Sequence, residues 1–189
     1  MEARRLTIDN KLIIIEDDIE CDSDFSDFES YIKTSAAFTP SQSDSYASSN
    51  TVGAFWVYNI DTNRFSKSTL FKLLLDKTNE YFGKNTWVLT EARVNSTQYG
   101  DSGFIHKDGT NGFTNTVTCL IYLNEQWNPD FFGETIFYNE QNDACAISSL
   151  KYRRLVMFDG KIKHAFRAPS RICNQKRLIM VAKYASNNV

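Results

Sequence analysis

The chain has 189 residues, 42% of them hydrophobic and 14% aromatic, with a formal net charge of −2. This length suits one domain with a substantial core, and the near-balanced charge gives no overall footprint for nucleic acid. No apolar run approaches the roughly 20 residues of a membrane span. The opening MEARRLTIDN has no apolar signal segment, and the four cysteines form no CxxC pair, so a reducing, cytoplasmic setting without disulfides is expected.

In chain order, KLIIIEDD (11–18) predicts a first strand. CDSDFSDFESYIKTS (21–35) predicts a helix, because Phe25, Phe28 and Ile32 recur at intervals of three and four with acids in the first turns. The acids between Glu16 and Glu29 lack the central glycine and ligand alternation of a calcium loop, and read as a solvated helix face. Residues 36–52 are Ser-rich with no apolar period, a long loop of the kind that covers active sites. FSKSTLFKLLLDKTNEYFG (65–83) predicts a second helix, with Leu70, Leu74, Thr78 and Phe82 on one face, Ser66 or Ser68 as cap and Gly83 as stop. From Thr86 onward seven short β-rich runs follow: TWVLTEARVN, GFIHKD, NTVTCLIYLN, ETIFYN, RRLVMFDG, HAFRA and KRLIMVAKY. Strands after helices, separated by Gly, Asn and Asp turns, predict a mainly β sandwich or jelly roll with helical buttressing.

Only two histidines occur, His106 and His164. In HKD, His106 and Asp108 stand two apart, a spacing that on a strand sends both side chains to one face. An imidazole and a carboxylate so placed can fill adjacent corners of an octahedron. His164, the one remaining imidazole, is the candidate third ligand. Two histidines and a carboxylate leave three positions open, the donor set of non-haem iron oxygenases. A lone HxD is common by chance, and a buried histidine is more often a core residue than a ligand, so the surrounding pattern decides.

HKD (106–108), TCLIYLNEQW (118–127), FGETIF (132–137), RLVMFDGKIKHAFRAP (154–169) and KRLIMVAKY (176–184) occur in that order. In these elements the sequence resembles the prolyl-4-hydroxylase-like branch of the 2-oxoglutarate- and Fe(II)-dependent dioxygenases, over roughly Val94 to Tyr184. The resemblance implies a double-stranded β-helix (jelly-roll) core at about 86–185, supported by a strand and helices within 1–85, in a single domain spanning 1–189. It implies Fe(II) on His106, Asp108 and His164, with 2-oxoglutarate as co-substrate, O₂ as oxidant and ascorbate as accessory reductant. It also implies that Arg177, opening the last strand, pairs with the distal carboxylate of 2-oxoglutarate, aided by the hydroxyl of Tyr122 and, at looser spacing, Tyr99. FGET carries one glycine where the family usually has two. Twelve residues separate His164 from Arg177, so Lys176 and Arg171 remain alternatives for the cation. Trp127 and Phe137 read as packing.

The reaction implied is hydroxylation of a C–H bond with release of succinate and CO₂, a prolyl residue in a protein or peptide being the expected target. The same chemistry on a nucleic acid or small molecule is the alternative. Arg153, Arg154, Lys161, Lys163, Arg167 and Arg171 bracket His164 and keep a nucleic-acid substrate open. A catalytically silent jelly-roll module is the other rival, and it would be expected to lack a ligand or the anion-pairing base. A cupin-type metal site would need more histidines than the chain has.

Overall fold

Two strands open the chain where one was expected. In the computed structural model, which describes residues 3–41, 53–84, 86–109 and 112–187, β1 (Arg4–Ile8) pairs antiparallel with β2 (Lys11–Glu16). Asp9 and Asn10 join them at φ 49° and 62°, the left-handed two-residue turn that Asp and Asn tolerate best. The helix α1 (Ser23–Thr34) starts where the Asp22 side chain accepts from the Phe25 N–H at 3.0 Å. It buries Phe25 and Ile32 while Asp24 and Asp27 face solvent. Glu29 departs from that solvated face, being buried against Arg153 at 3.0 Å.

Short strands β3 (Thr39–Pro40), β4 (Gly53–Ala54) and β5 (Trp56–Asn59) precede the one-turn helix α2 (Thr62–Phe65) and α3 (Thr69–Phe82). Ser68 caps α3 through the Phe71 N–H, and Gly83 ends it at φ 92°. The lid expected within 36–52 falls, from residue 42 on, outside the described residues. The remaining strands are β6 (Val88–Thr97), β7 (Ser102–Gly103), β8 (Asn115–Tyr122), β9 (Thr135–Tyr138), β10 (Ala144–Ser148), β11 (Leu155–Asp159), β12 (Lys163–Phe166) and β13 (Arg177–Ser186).

An eight-stranded sheet runs β1-β2-β11-β8-β13-β6-β5-β3, and a three-stranded sheet runs β10-β9-β12, with antiparallel pairing throughout. This is a mainly β jelly roll with flanking helices. Alternation along β13 places its two faces in different environments. Leu178, Met180, Ala182 and Tyr184 pack with Leu70 and Leu74 of α3, whereas Ile179 and Val181 pack with Phe137 and Ile162. Each fully buried Ile or Leu contributes about 1.5–3 kcal/mol. The two apolar layers therefore fix which side chains of β13 face the interior. Arg177 and Lys183 share the interior parity of Ile179 and Val181, and line the same cavity.

Candidate metal centre

His164 enters the interior from β12, opposite Phe137 of β9. The expected strand GFIHKD is not continuous. Only Ser102 and Gly103 lie in β7, and His106 forms an isolated bridge with His164. Each of the two donates its N–H to the other's carbonyl, at 3.0 and 2.9 Å. That reciprocal pair, rather than strand alternation, sets the imidazoles side by side with centroids 4.3 Å apart. Asp108, buried, is aimed at them by Thr118 of β8, whose hydroxyl donates to Oδ2 at 2.7 Å. Gly160 makes room, since a Cβ there would lie 2.6 Å from the Asp108 carbonyl oxygen.

The three side chains converge. His106 Nε2 lies 3.7 Å from Asp108 Oδ1 and His164 Nε2 3.5 Å from Oδ2. Their donor atoms all fall within 4.8 Å of one another. Both Nδ1 atoms face carbonyl oxygens, Phe104 at 2.8 Å and Ile162 at 3.0 Å. A carbonyl can only accept, so each Nδ1 carries the proton and each Nε2 presents a bare lone pair. Burial, with the neighbouring His164 adding to it, lowers the His106 pKa to about 4, and burial lowers that of His164 too. Both rings are neutral at pH 7. Burial alone would raise the Asp108 pKa, but Lys183, the two imidazoles and Thr118 more than reverse it. Two neutral imidazoles and an ionised carboxylate on one side of a cavity fit the donor set of a non-haem Fe(II) site.

Lys183 went unnoticed in the sequence. From β13 its ammonium reaches Asp108 Oδ1 and Glu91 of β6, both at 3.0 Å. Burial works against its charge, yet these two carboxylates raise its pKa. Glu91 also pairs with Arg93 at 2.5 Å. The signal was present in KRLIMVAKY, where Arg177 and Lys183 are six apart and therefore share a face.

Arg177 lies deeper in the same cavity and is only 3% exposed. Its Nε donates to the Gly133 carbonyl at 2.5 Å and its Nη2 to Thr135 Oγ1 at 3.3 Å, with the guanidinium 5.3 Å from the Phe166 ring centroid. Among the described residues no carboxylate pairs with it. Burial lowers its pKa to about 10, leaving it charged at pH 7. Tyr122, fully buried, donates to the same Thr135 hydroxyl at 2.9 Å. Tyr99 is not brought to the site: it sits in the turn after β6, 61% exposed. Lys176 and Arg171 are exposed, outside the cavity. Trp127 donates to the Phe132 carbonyl at 2.7 Å, and Phe137 is core.

Phe132 stands at the first of the two positions where the resemblance leads one to expect glycine, and Gly133 fills the second. Phe132 adopts φ 61°, a conformation that normally favours glycine, with the Arg167 guanidinium stacked 3.4 Å over its ring. Four members of the basic cluster have acidic partners: Arg153 with Glu29, Arg154 with Asp17, Lys163 with Glu140 and Arg167 with Glu134.

No protein-family model and no curated protein matches the sequence. Solved structures do. A prolyl hydroxylase from Trichoplax adhaerens, in complex with a hypoxia inducible factor oxygen degradation domain peptide, superposes with a TM-score of 0.70 at 20% identity, covering 92% of this chain and 83% of that one. A Pseudomonas putida prolyl-4-hydroxylase gives 0.59 at 15% identity, with 87% and 84% covered. HygX from Streptomyces hygroscopicus, bound to nickel, 2-oxoglutarate and hygromycin B, gives 0.60 at 11% identity, with 92% and 82% covered. The fold is that of the 2-oxoglutarate- and Fe(II)-dependent oxygenases. Within this oxygenase fold His106, Asp108, His164 and Arg177 line one cavity between the two sheets. No helix among the described residues is long and apolar enough to cross a membrane.

Proposed function

We propose that the chain, as one domain, is a 2-oxoglutarate- and Fe(II)-dependent dioxygenase that hydroxylates a C–H bond in a protein or peptide, a prolyl residue foremost. The observation that carries this reading is the pairing, in one cavity, of a His–Asp–His donor set with a buried guanidinium that has no carboxylate partner among the described residues. A buried cation calls for an anion, and a dicarboxylate spanning from the donor set to Arg177 supplies one.

His106, Asp108 and His164 would hold the iron, which with 2-oxoglutarate and O₂ supplies the oxidation of an unactivated C–H bond, releasing succinate and CO₂. The chain's own residues supply position and dryness. The Phe104 and Ile162 carbonyls, accepting from the Nδ1–H groups, orient both rings. Thr118 holds the Asp108 carboxylate. Arg177 would grip the distal carboxylate of 2-oxoglutarate, with Tyr122 as second donor through a hydroxyl now turned to Thr135. Phe55 and Phe166, edge to face at 5.7 Å, form an apolar wall of the cavity.

The peptide complex of the Trichoplax relative supports a peptide substrate, and the acid-paired basic residues around His164 leave little free positive charge for a phosphate backbone. The test is succinate release from 2-oxoglutarate with Fe(II) and ascorbate, comparing proline-containing peptides with single-stranded oligonucleotides. Stimulation by peptides, abolished in His164→Ala, is expected. Stimulation by oligonucleotide alone, falling steeply with salt, would overturn the substrate assignment. Full Fe(II)-dependent turnover in His164→Ala would overturn the metal site.

A further inference from the structure

We propose that Lys183 is the resident counter-cation of Asp108, and that a metal ion enters this site by exchange with it, the ammonium passing to Glu91. The proposal rests on the metal-site reading above but on no particular co-substrate or substrate.

Asp108 is 7% exposed, and Lys183 is the one Lys or Arg in ion-pair range of it among the described residues. The two imidazoles beside it direct their Nδ1 atoms to backbone carbonyls, which leaves Lys183 as the permanently charged cation in contact with the carboxylate. A buried carboxylate without a cation is costly, and Lys183, its side chain 13% exposed, fills that role at 3.0 Å. The same Nζ stands 3.0 Å from Glu91 Oε2, the residue directly opposite it in the β6–β13 register. The ammonium can therefore release Asp108 without leaving an ion pair.

A divalent ion on the three ligands brings two positive charges to the carboxylate that Lys183 contacts. In a poorly screened interior this repulsion is strong. The lysine thus keeps the ionised ligand aimed and charge-balanced while the site waits, and weakens metal binding relative to a neutral side chain of the same length. Lys107 offers the contrast: it lies between two ligands in sequence but turns outward to Glu140 at 3.0 Å, its side chain 43% exposed.

The experiment is Mn(II) binding to the whole chain, read as free Mn(II) by electron paramagnetic resonance, with thermal unfolding in parallel. Lys183→Met should bind Mn(II) more tightly, by about tenfold or more, and the gain should survive raised salt because the pair is buried. The same variant should melt lower than wild type without metal and regain the difference when loaded. Lys183→Arg should stay within about threefold of wild type, and Lys107→Met should differ by less than about twofold, as an exposed pair would. Glu91→Gln, which removes the destination of the ammonium, should bind more weakly, and it serves as the deciding variant should Lys183→Met fail to fold. Equal or weaker binding by Lys183→Met, or equal or tighter binding by Glu91→Gln, overturns the exchange. A wild-type chain that binds no Mn(II) overturns the exchange and the metal site together.

Discussion

Replacing Arg177 by Met separates ligand recognition from packing. Without 2-oxoglutarate the guanidinium is buried with no carboxylate in ion-pair range among the described residues, and burial, countered in part by Tyr122 and the charge of Glu134, has brought its pKa from 12.5 to about 10. That displacement is worth about 3 kcal/mol against the charged form, offset in part by the bonds to Gly133 and Thr135. Methionine of similar length removes both the penalty and those bonds. The ligand-free protein should therefore keep its Tm to within about 4 °C, the shift that 1 kcal/mol produces in a domain of this size. Binding of 2-oxoglutarate should collapse, since a buried carboxylate deprived of its cation loses about 3–5 kcal/mol, roughly 10²- to 10⁴-fold in Kd. The assay is thermal unfolding of the Mn(II)-loaded proteins against 2-oxoglutarate concentration, because a ligand that binds only the folded state raises Tm as its concentration exceeds Kd. Wild-type Tm should climb steadily while the Met variant stays flat. Parallel climbs would refute the reasoning and pass the role to Lys176 or Arg171.

Tyr122→Phe should weaken 2-oxoglutarate by about 1–3 kcal/mol, the range for one hydrogen bond to a charged group, and the same titration checks it. The metal-free protein should lose stability as pH falls from 6.5 toward 4, because the unfolded chain protonates His106 at 6.5 while the folded chain resists until about 4. That difference is worth about 3 kcal/mol. His164 acts with the same sign, and Asp108, also held low, extends the loss to more acidic pH. Urea midpoints in chelator that stay level across this window would count against neutral imidazoles. Gly160→Ala should lower stability by about 1–3 kcal/mol, the usual cost of overpacking, and weaken Mn(II) binding, because the added Cβ would meet the Asp108 carbonyl at 2.6 Å. Unchanged Mn(II) affinity would show that Asp108 tolerates the shift.

The elements that the sequence made plain are those in which local and global preferences agree. The alternation in β13, the capped helix α3 and the spacing of His106 to Asp108 were each visible without coordinates. RRLTI was missed as a strand because β1 is an edge whose burial comes only at Ile8, although the following Asp-Asn is a hairpin signal. Trp56–Asn59 and Ala144–Ser148 are too short to show a period. The HKD segment was read as strand, and it reaches the same convergence by a single backbone bridge to a residue 58 positions away, which no local pattern encodes. Lys183 and Glu91 escaped notice for a related reason: each looks like an ordinary strand charge until β6, β13 and the Asp108 loop meet.

The bridge between His106 and His164 also bears on how the two sheets are held together. His164 belongs to the three-stranded layer and His106 is bonded to it, while Asp108 is tied through Thr118 to β8 of the eight-stranded layer. An ion gripping all three would act as a clasp across the open end of the sandwich. Loading the site should then slow amide hydrogen exchange on β12 more than on β1, which lies at the far edge of the large sheet, so that the candidate metal site would double as a fastening for the layers that enclose it.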